Sequence, residues 1–236
     1  MRFTFLMLCA ILVLSSCENK EEDKRKYPPA DLVFYETYTT DEIEASWMNA
    51  IEAVNRPDTS QVIHANAFSG IDLRTLIQPA GDVCLGYVAP ENQHRVQELL
   101  SMDIVRDCLP KDADILWSWN AEDVGGGQKM YSLYVVHKNG IKPRLTGKDL
   151  VDVEVEEDPN TLQMNILLTM SEKGTEKWAK MTRDNVHRTI AMVVNGQVLS
   201  APRVIEPITG GKTQISGSFS LDEANEIGGG IKAGIR

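Results

Sequence analysis

The sequence predicts an α+β protein, with mixed and antiparallel sheets and packed helices, from two hairpin patterns and a capped helix after them. Ile190–Val194 and residues 197–201 are short apolar runs that flank Asn195-Gly196, a pair typical of a two-residue β-hairpin. Residues 162–170 follow an alternating valine strand and the turn Asp158-Pro159-Asn160, which indicates a second, longer hairpin. Strands followed by helices in this order favour the α+β class.

The first hairpin is predicted to continue as a β-meander closed by a helix. Pro202 ends its second strand because proline has no N–H to donate to the ladder. Residues 204–208 are expected to form a third strand, Gly210-Gly211 a turn, and residues 213–216 a fourth strand. We expect residues 130–234 to form one mixed body around the Asn195 hairpin. The final helix is indicated by a capping box and one apolar face, formed by Ser220 with Glu223 and by Leu221, Ala224, Ile227 and Ile231.

Three consecutive glycines, Gly228-Gly229-Gly230, fall within that last helix pattern. Each glycine costs a helix about 1 kcal/mol relative to alanine. We therefore expect the helix to fray there.

The first half of the chain shows strand and helix patterns of ordinary length. Asp41 and Glu44 form a capping-box pattern that predicts a helix over residues 41–54. The glycine-rich loop at residues 120–129 divides an N-terminal α+β part, residues 31–125, from a second part, residues 126–236. The other predicted elements are strands at 32–38, 84–88, 131–137 and around Ile115, Trp117 and Trp119, and helices from Pro90 (burying Val96, Leu99 and Leu100), over 103–108, and from Ser171 (carrying Trp178 and Met181).

The N-terminus has the pattern of a bacterial lipoprotein signal. Arg2 precedes an apolar run at residues 3–14 that is too short to span a membrane, so residues 1–16 are predicted to be a signal peptide. Leu14-Ser15-Ser16-Cys17 resembles a lipobox, which implies that Cys17 becomes the first mature residue and carries palmitate-type acyl chains. Two or more acyl chains anchor a protein stably. The alternative is an ordinary secretory signal with a chance cysteine.

Residues 17–30 are predicted to be a lipidated tether. The charged run at residues 18–26 has no apolar periodicity, and Pro28-Pro29 stiffens its end. The run from Lys20 to Asp23 resembles an acidic signal that sends lipoproteins to the cell surface in some bacteria, but charge runs are also common in plain solvated linkers. Both interpretations stay open. We therefore expect the protein to be anchored in the cell envelope, with the outer membrane favoured, either at the periplasmic face or at the cell surface.

Composition argues against several function classes. The formal net charge of −10 and the absence of a clustered basic segment argue against nucleic acid as a partner. The run Gly210-Gly211-Lys212-Thr213 resembles a phosphate loop, but Glu206 stands where its first glycine belongs. His64, His94, His137 and His187 are isolated, so no metal site is predicted, and no cofactor or catalytic motif is found.

Cys84 and Cys108 remain after processing at Cys17. In an oxidising compartment they are candidates for a disulfide across 23 intervening residues, which a chain-entropy model values at roughly 3 to 3.5 kcal/mol. Two separate buried thiols are an equally good interpretation.

Several segments, in order, resemble the SecD/SecDF preprotein translocase family. The resemblance to the head subdomain of its first periplasmic domain is carried by the turn residues Asn195, Gly196, Pro202, Gly210, Gly211 and Gly217. Other matching segments are VFYETY at 33–38, LGY at 85–87, LTGKDLVDVEVE at 145–156 and GTEKWAKMTRDN at 174–185. The membrane helices that couple proton flow in that family are missing from this sequence, so the resemblance implies a chain that holds polypeptide and does not drive it.

Three functions follow as hypotheses. The first is a non-enzymatic lipoprotein that binds polypeptide or the Sec translocase in protein export. The second is an interaction lipoprotein of the surface or outer membrane that reuses the head fold outside export. The third, an enzyme whose site is assembled from dispersed acids, is the least favoured.

Overall fold

The structure, a computed structural model, describes residues 26–55, 72–81, 84–138, 140 and 142–235. The predicted signal peptide, Cys17 and most of the predicted tether lie outside these residues. Within them, no helix combines the length and the apolar character needed to cross a bilayer.

The α+β prediction is confirmed, because the described residues contain twelve strands and six α-helices. The strands are β1 (Leu32–Glu36), β2 (Ile77–Gln78), β3 (Gly86–Val88), β4 (Ala113–Trp117), β5 (Glu122–Asp123), β6 (Lys129–His137), β7 (Leu145–Thr146), β8 (Leu150–Glu157), β9 (Met164–Met170), β10 (Ile190–Val194), β11 (Gln197–Ser200) and β12 (Lys212–Ser216). The helices are α1 (Thr40–Asn55), α2 (Leu73–Leu76), α3 (Gln93–Leu100), α4 (Asp103–Arg106), α5 (Glu172–Asp184) and α6 (Leu221–Gly234), with 3₁₀ turns at Pro90–Asn92 and Gly147–Asp149.

The chain folds into two compact units that are each discontinuous in sequence. The first takes its described residues from Met1–Val33, Leu145–Ala179 and Ile208–Arg236, and the second from Phe34–Arg144 and Lys180–Pro207. The predicted division at residue 125 falls in the turn between β5 and β6, inside the second unit.

The first unit is built on an antiparallel sheet with the order β12-β9-β8. Val153 pairs with Leu168 and Val155 with Ile166, which puts these apolar side chains on one face. Helix α6 covers that face, since a Cβ on its Gly228 would meet the side chains of Val155 and Ile166. The alternation of apolar residues thus sets both the register and the packing of this sheet.

A bulge in β8 changes the predicted pattern of that strand. The alternation of Val151, Val153 and Val155 predicts all three on one face, but Val151 is 50% exposed, whereas Val153 is 3% exposed. The register shifts between Leu150 and Asp152, so the extra residue turns Val151 outward and buries Leu150 in its place.

Helix α6 does not fray at its glycines, and that prediction is wrong. The capping box of Ser220 and Glu223 is present, and the helix continues to Gly234. Gly228 and Gly230 are buried within it. Neighbouring groups pack so closely against these glycines that a side chain would not fit. This close packing offsets the low helix propensity of glycine.

Residues 27–30, which we call the strap, lie on this glycine face. The Ala30 N–H donates to the carbonyl oxygen of Gly230 at 2.8 Å. A Cβ on Gly229 would overlap the Tyr27 ring, and one on Gly234 would lie 2.5 Å from the Ala30 carbonyl oxygen. The last four residues of the segment predicted as a tether are therefore packed against the final helix.

The second unit contains a sheet with the order β2-β3-β6-β4, to which β5 adds on β6. Helices α1, α3 and α4 contribute to the core beside it. Val96, Leu99 and Leu100 are buried as predicted. The residues of this core are Ala50, Ile51, Leu73, Ile77, Val88, Val96, Leu99, Leu100, Val105 and Leu133, with Ile115 and Trp117 packed against them.

Both faces of β4 are covered, which the sequence did not indicate. The alternation predicted Ile115 and Trp117 as the buried face, but Leu116 is the more buried residue, at 6% exposure. Leu116 packs in a separate cluster with Val136 and Val198. A strand between two apolar layers shows no clear alternation.

The predicted hairpin at Asn195-Gly196 is present in the second unit. Both residues have positive φ, 50° and 87°, as a type I′ turn requires. All five residues of β10 are buried, which confirms the strand predicted from their apolar run. The sheet continues from β11 through β10 to β1.

The predicted meander after this hairpin is wrong. Val204 exchanges hydrogen bonds with His187 and Arg188, but no ladder forms over residues 204–208, where Ile205 is 70% exposed and Pro207 has no donor. Strand β12 pairs with β9 in the first unit, where it buries Ile215. Residues 130–234, predicted as one body, are therefore divided between the two units.

Helix α1 begins at Thr40, one residue earlier than predicted, and its capping box lies two residues earlier. Glu42 accepts from the Thr39 N–H at 2.9 Å, and the Thr39 hydroxyl accepts from the Glu42 N–H at 3.4 Å. The capping box is thus formed by Thr39 and Glu42 and not by Asp41 and Glu44. Both pairs have the same spacing, so the sequence pattern alone could not choose between them.

Candidate functional site

A cleft of about 490 Å³ lies beside β4 in the second unit. This volume falls in the range of ligand-sized pockets. Its walls come from the end of α3, the segment after α4 and the start of β4. The residues that line it include Leu100, Arg106, Leu109, Pro110, Lys111 and Ile115.

The charges at the rim of this β4 cleft are not balanced. Asp114 lines the cleft, but its carboxylate is paired with the Lys138 ammonium at 2.6 Å. Arg106, Asp107 and Lys111 are exposed. With Asp114 neutralised, two positive groups face one negative group.

A second cleft of about 190 Å³ also lies in the second unit, and residues from both of its sequence ranges line it, among them Thr37, Tyr134, Arg188 and Arg203. Arg188 makes two bonds to Glu42 there, at 2.9 and 2.8 Å, and donates to the Thr37 carbonyl oxygen at 3.1 Å. The hydrogen bonds from Arg188 lower the pKa of Glu42 to about 2. Since its guanidinium is occupied by these partners and the cleft is small, we assign Arg188 a structural role.

Tyr38, Asp112 and His137 form a bonded cluster near that cleft. The Tyr38 hydroxyl donates to Asp112 Oδ1 at 2.8 Å, and His137 Nδ1 lies 2.7 Å from Asp112 Oδ2. The rings of Tyr38 and His137 stack with centroids 3.8 Å apart. The hydrogen bond from His137, and then that from Tyr38, lowers the pKa of Asp112. The cluster ties the segment after β1 to the ends of β4 and β6.

Of this cluster, only Tyr38 lines a cleft, the smaller of the two. Neither Asp112 nor His137 lines either of the two clefts described above. Burial, and to a smaller extent the hydrogen bond to Asp112, raises the pKa of Tyr38, so the phenol stays protonated. Within the described ranges, no group of three or more histidine, cysteine or acidic side chains is placed to hold a metal ion.

The turn residues singled out in the sequence are not brought together. Asn195 and Gly196 form the hairpin turn, and the Pro202 carbonyl oxygen accepts from the Ile190 N–H at 3.2 Å in the same unit. Gly211 has φ 68° and its carbonyl oxygen accepts from the Met170 N–H at 2.8 Å in the first unit. Gly210 and Gly217 are also in the first unit, where a Cβ on Gly217 would meet the Phe219 ring. These residues shape turns and form no common site.

Cys84 and Cys108 are both free thiols in this structure. Cys84 is buried and donates to the Gly86 carbonyl oxygen at 3.5 Å, and Cys108 donates to the Ile104 carbonyl oxygen at 3.2 Å. Burial raises the pKa of Cys84. The disulfide stays a prediction for the oxidised protein.

Sequence reasoning missed the β4 cleft. The nearest signal was Pro110 before a strand of alternating apolar residues, which indicates where β4 begins but not whether it has a neighbour on each side. Strand order depends on pairings distant in sequence, such as Ile115 with Val135, so an edge strand cannot be recognised from its own residues.

The comparisons with known proteins agree on one family. Residues 122–235 match the family model described as SecDF, P1 head subdomain. The protein translocase subunit SecD of Acidaminococcus fermentans is 47% identical over 83 residues, which are 35% of this chain and 20% of that protein. SecD of Rhodothermus marinus is 33% identical over 69% of this chain and 26% of its own length. SecD of Desulfurispirillum indicum is 29% identical over 87% of this chain.

This chain spans less than half of each of these relatives, 42% in the case of the Desulfurispirillum indicum protein. The similarity extends beyond the segment that the family model matches, because the last alignment covers 217 residues. Within the chain, the segments that carry the resemblance lie in both compact units. Residues 122–235 belong to the SecDF P1 head subdomain family.

Proposed function

We propose that this protein is a non-enzymatic, lipid-anchored extracytoplasmic protein that binds polypeptide or the Sec translocase during protein export. The observation that carries the proposal is the family match over residues 122–235, because its relatives are named as protein translocase subunits. An α+β unit with a ligand-sized cleft next to a strand is compatible with holding an extended chain.

The lipid anchor is proposed from the sequence. Residues 3–14 and the cysteine at position 17 have the order of a lipoprotein signal. Each buried CH₂ of an acyl chain contributes about 0.8 kcal/mol to membrane binding, so two or more chains hold a protein at the membrane. The anchor places the folded part outside the cytoplasm, within reach of emerging polypeptide.

Metabolic labelling with an alkyne fatty acid tests the anchor. We expect the wild-type protein to carry the label and Cys17→Ser to lose it. The matched control is Cys9→Ser, which alters the other leader cysteine and is expected to keep the label. A labelled Cys17→Ser protein, or an unlabelled wild-type protein, would refute lipid attachment at this residue.

A second candidate function is an interaction lipoprotein of the surface or outer membrane, outside export. The observation that favours it is the charged run from Lys20 to Asp23, which begins three residues after Cys17. Protease treatment of intact cells separates the two functions. Protection of the mature protein supports the role in export, whereas its digestion at the cell surface supports the second function, because a surface protein cannot contact an inner-membrane translocase.

A further inference from the structure

Strand β4 stands at the end of its sheet, after β6. The Ser118 N–H donates to the Ser132 carbonyl oxygen, and the Lys138 N–H to the Asp112 carbonyl oxygen, both at 2.8 Å. In an antiparallel ladder, hydrogen-bonded and non-hydrogen-bonded pairs alternate. Residues 112, 114, 116 and 118 therefore bond β6, and the N–H and C=O of Ile115 point away from it.

Among the described residues, the opposite side of β4 is paired with another strand only near its C-terminal end. Ser118 forms a parallel bridge with Val198 of β11, and the Trp119 N–H donates to the Val198 carbonyl oxygen at 2.8 Å. Strand β11 runs from there in the same direction as β4, away from Ile115. In the part of the chain that the structure describes, no strand pairs with β4 at Ile115 on this side.

The β4 cleft opens beside this edge. Leu100, Leu109 and Pro110 supply apolar walls, and Ile115 itself lines it. The rim carries two exposed positive side chains, Arg106 and Lys111, and one exposed negative side chain, Asp107. The charge of Asp114 does not change this balance, because it is paired with Lys138. A strand edge next to an apolar cleft is the arrangement by which an extended peptide gains main-chain hydrogen bonds and inserts a side chain.

We propose that an extended segment of unfolded polypeptide adds to β4 as a further strand at Ile115 and inserts an apolar side chain into the β4 cleft. An extended backbone can pair with both the outward N–H and the outward C=O of Ile115, as the next strand of an antiparallel or parallel ladder would. The positive rim favours a segment with an acidic residue next to the apolar one. This inference rests on the proposed binding of polypeptide and names its location.

Proline at position 115 tests the edge directly. Ile115→Pro removes the outward N–H and no bond to β6, and proline is tolerated in edge strands with this orientation. Ile115→Ala is the matched control, because it also shortens the side chain but keeps the N–H. The ligand is fluorescein-labelled, reduced and carboxymethylated α-lactalbumin, an unfolded acidic polypeptide, and binding is measured by fluorescence anisotropy.

We expect the wild-type protein to bind, and Ile115→Pro to bind about fivefold or more weakly than Ile115→Ala, the effect of one lost neutral hydrogen bond. Urea unfolding of both variants checks that each is folded. A photo-crosslinker in place of exposed Lys111 is expected to capture the same polypeptide, whereas one in place of exposed Glu44 on α1 is not.

The outcomes separate this inference from the proposed function. Equal binding by the two variants, or capture from Glu44 and not from Lys111, would overturn the β4 location and leave polypeptide binding in place. No binding by the wild-type protein would overturn both. Self-association through β4, seen as a dimer that Ile115→Pro dissociates, would replace polypeptide with a second copy of this chain as the occupant.

Discussion

The packing of the strap on helix α6 makes a sharp prediction for Gly234→Ala. If the backbone kept its wild-type position, the Cβ that alanine adds at position 234 would lie 2.5 Å from the carbonyl oxygen of Ala30, a backbone atom. An ordinary C···O contact is about 3.3 Å. Either the last turn of α6 or the strap must therefore shift by about 0.8 Å, the difference between that contact and 2.5 Å.

The opposing contributions can be compared. Alanine in place of a helical glycine stabilises a helix by about 1 kcal/mol. Overpacking costs about 1–3 kcal/mol, and losing the hydrogen bond from Ala30 to Gly230 costs about 1 kcal/mol. We expect a net loss of about 1–3 kcal/mol in the free energy of unfolding. In a protein of this size each kcal/mol lowers the Tm by about 2–4 °C.

Urea unfolding and hydrogen exchange measure this effect. We expect Gly234→Ala to unfold at lower urea and the Ala30 amide to exchange faster. The control is Gly210→Ala, because Gly210 has no heavy atom within 4 Å of an added Cβ and is expected to change neither quantity. A Gly234→Ala protein that is as stable as the wild type or more stable, with Ala30 equally protected, would show that helix propensity outweighs the contact.

Three further predictions follow from the second unit. Hydrogen bonds from Arg188 lower the pKa of Glu42 from 4.5 to about 2, so the ionised Glu42 stabilises the folded protein above pH 4.5, and this stabilisation is lost as the pH falls toward 2. The difference in the free energy of unfolding between the wild type and Glu42→Gln, measured by urea titration, should therefore shrink over that interval. Gly196→Ala places a side chain at φ 87° and should lower the unfolding free energy by about 1–2 kcal/mol, and an unchanged urea midpoint would contradict the turn geometry. In the reduced protein, iodoacetamide should modify Cys108 before buried Cys84, as followed by peptide mass spectrometry, and the reverse order would contradict their placement.

Local patterns were enough to predict most of the elements. The pair Asn195-Gly196 requires positive φ at both residues, and few other structures than a tight hairpin provide it. Ser220 and Glu223 form the capping box that the spacing indicated. In these places one short stretch of chain determines its own conformation.

The pairing of distant segments could not be predicted in the same way. Residues 213–216 were recognised as a strand, but their partner is β9 and not the neighbouring hairpin, because Ile215 is buried against Ile166 across the sheet. Gly229 lowers helix propensity, and only the Tyr27 ring, about two hundred residues away in sequence, explains its place in α6. The candidate site at β4 was missed for the same reason, since its edge exists only because no described strand follows it.

Site-specific photo-crosslinking in living cells tests most directly whether the protein holds exported polypeptide or the translocase. The crosslinker replaces Lys111 at the rim of the β4 cleft, or, in separate variants, Leu162 or Ile205, which are exposed apolar residues within the segment that matches the family, at 72% and 70% exposure. We expect adducts with Sec subunits or with newly made exported chains, and we expect those adducts to disappear when export is blocked. Adducts with neither, from a protein that is present at normal levels in the envelope, would contradict a role in export.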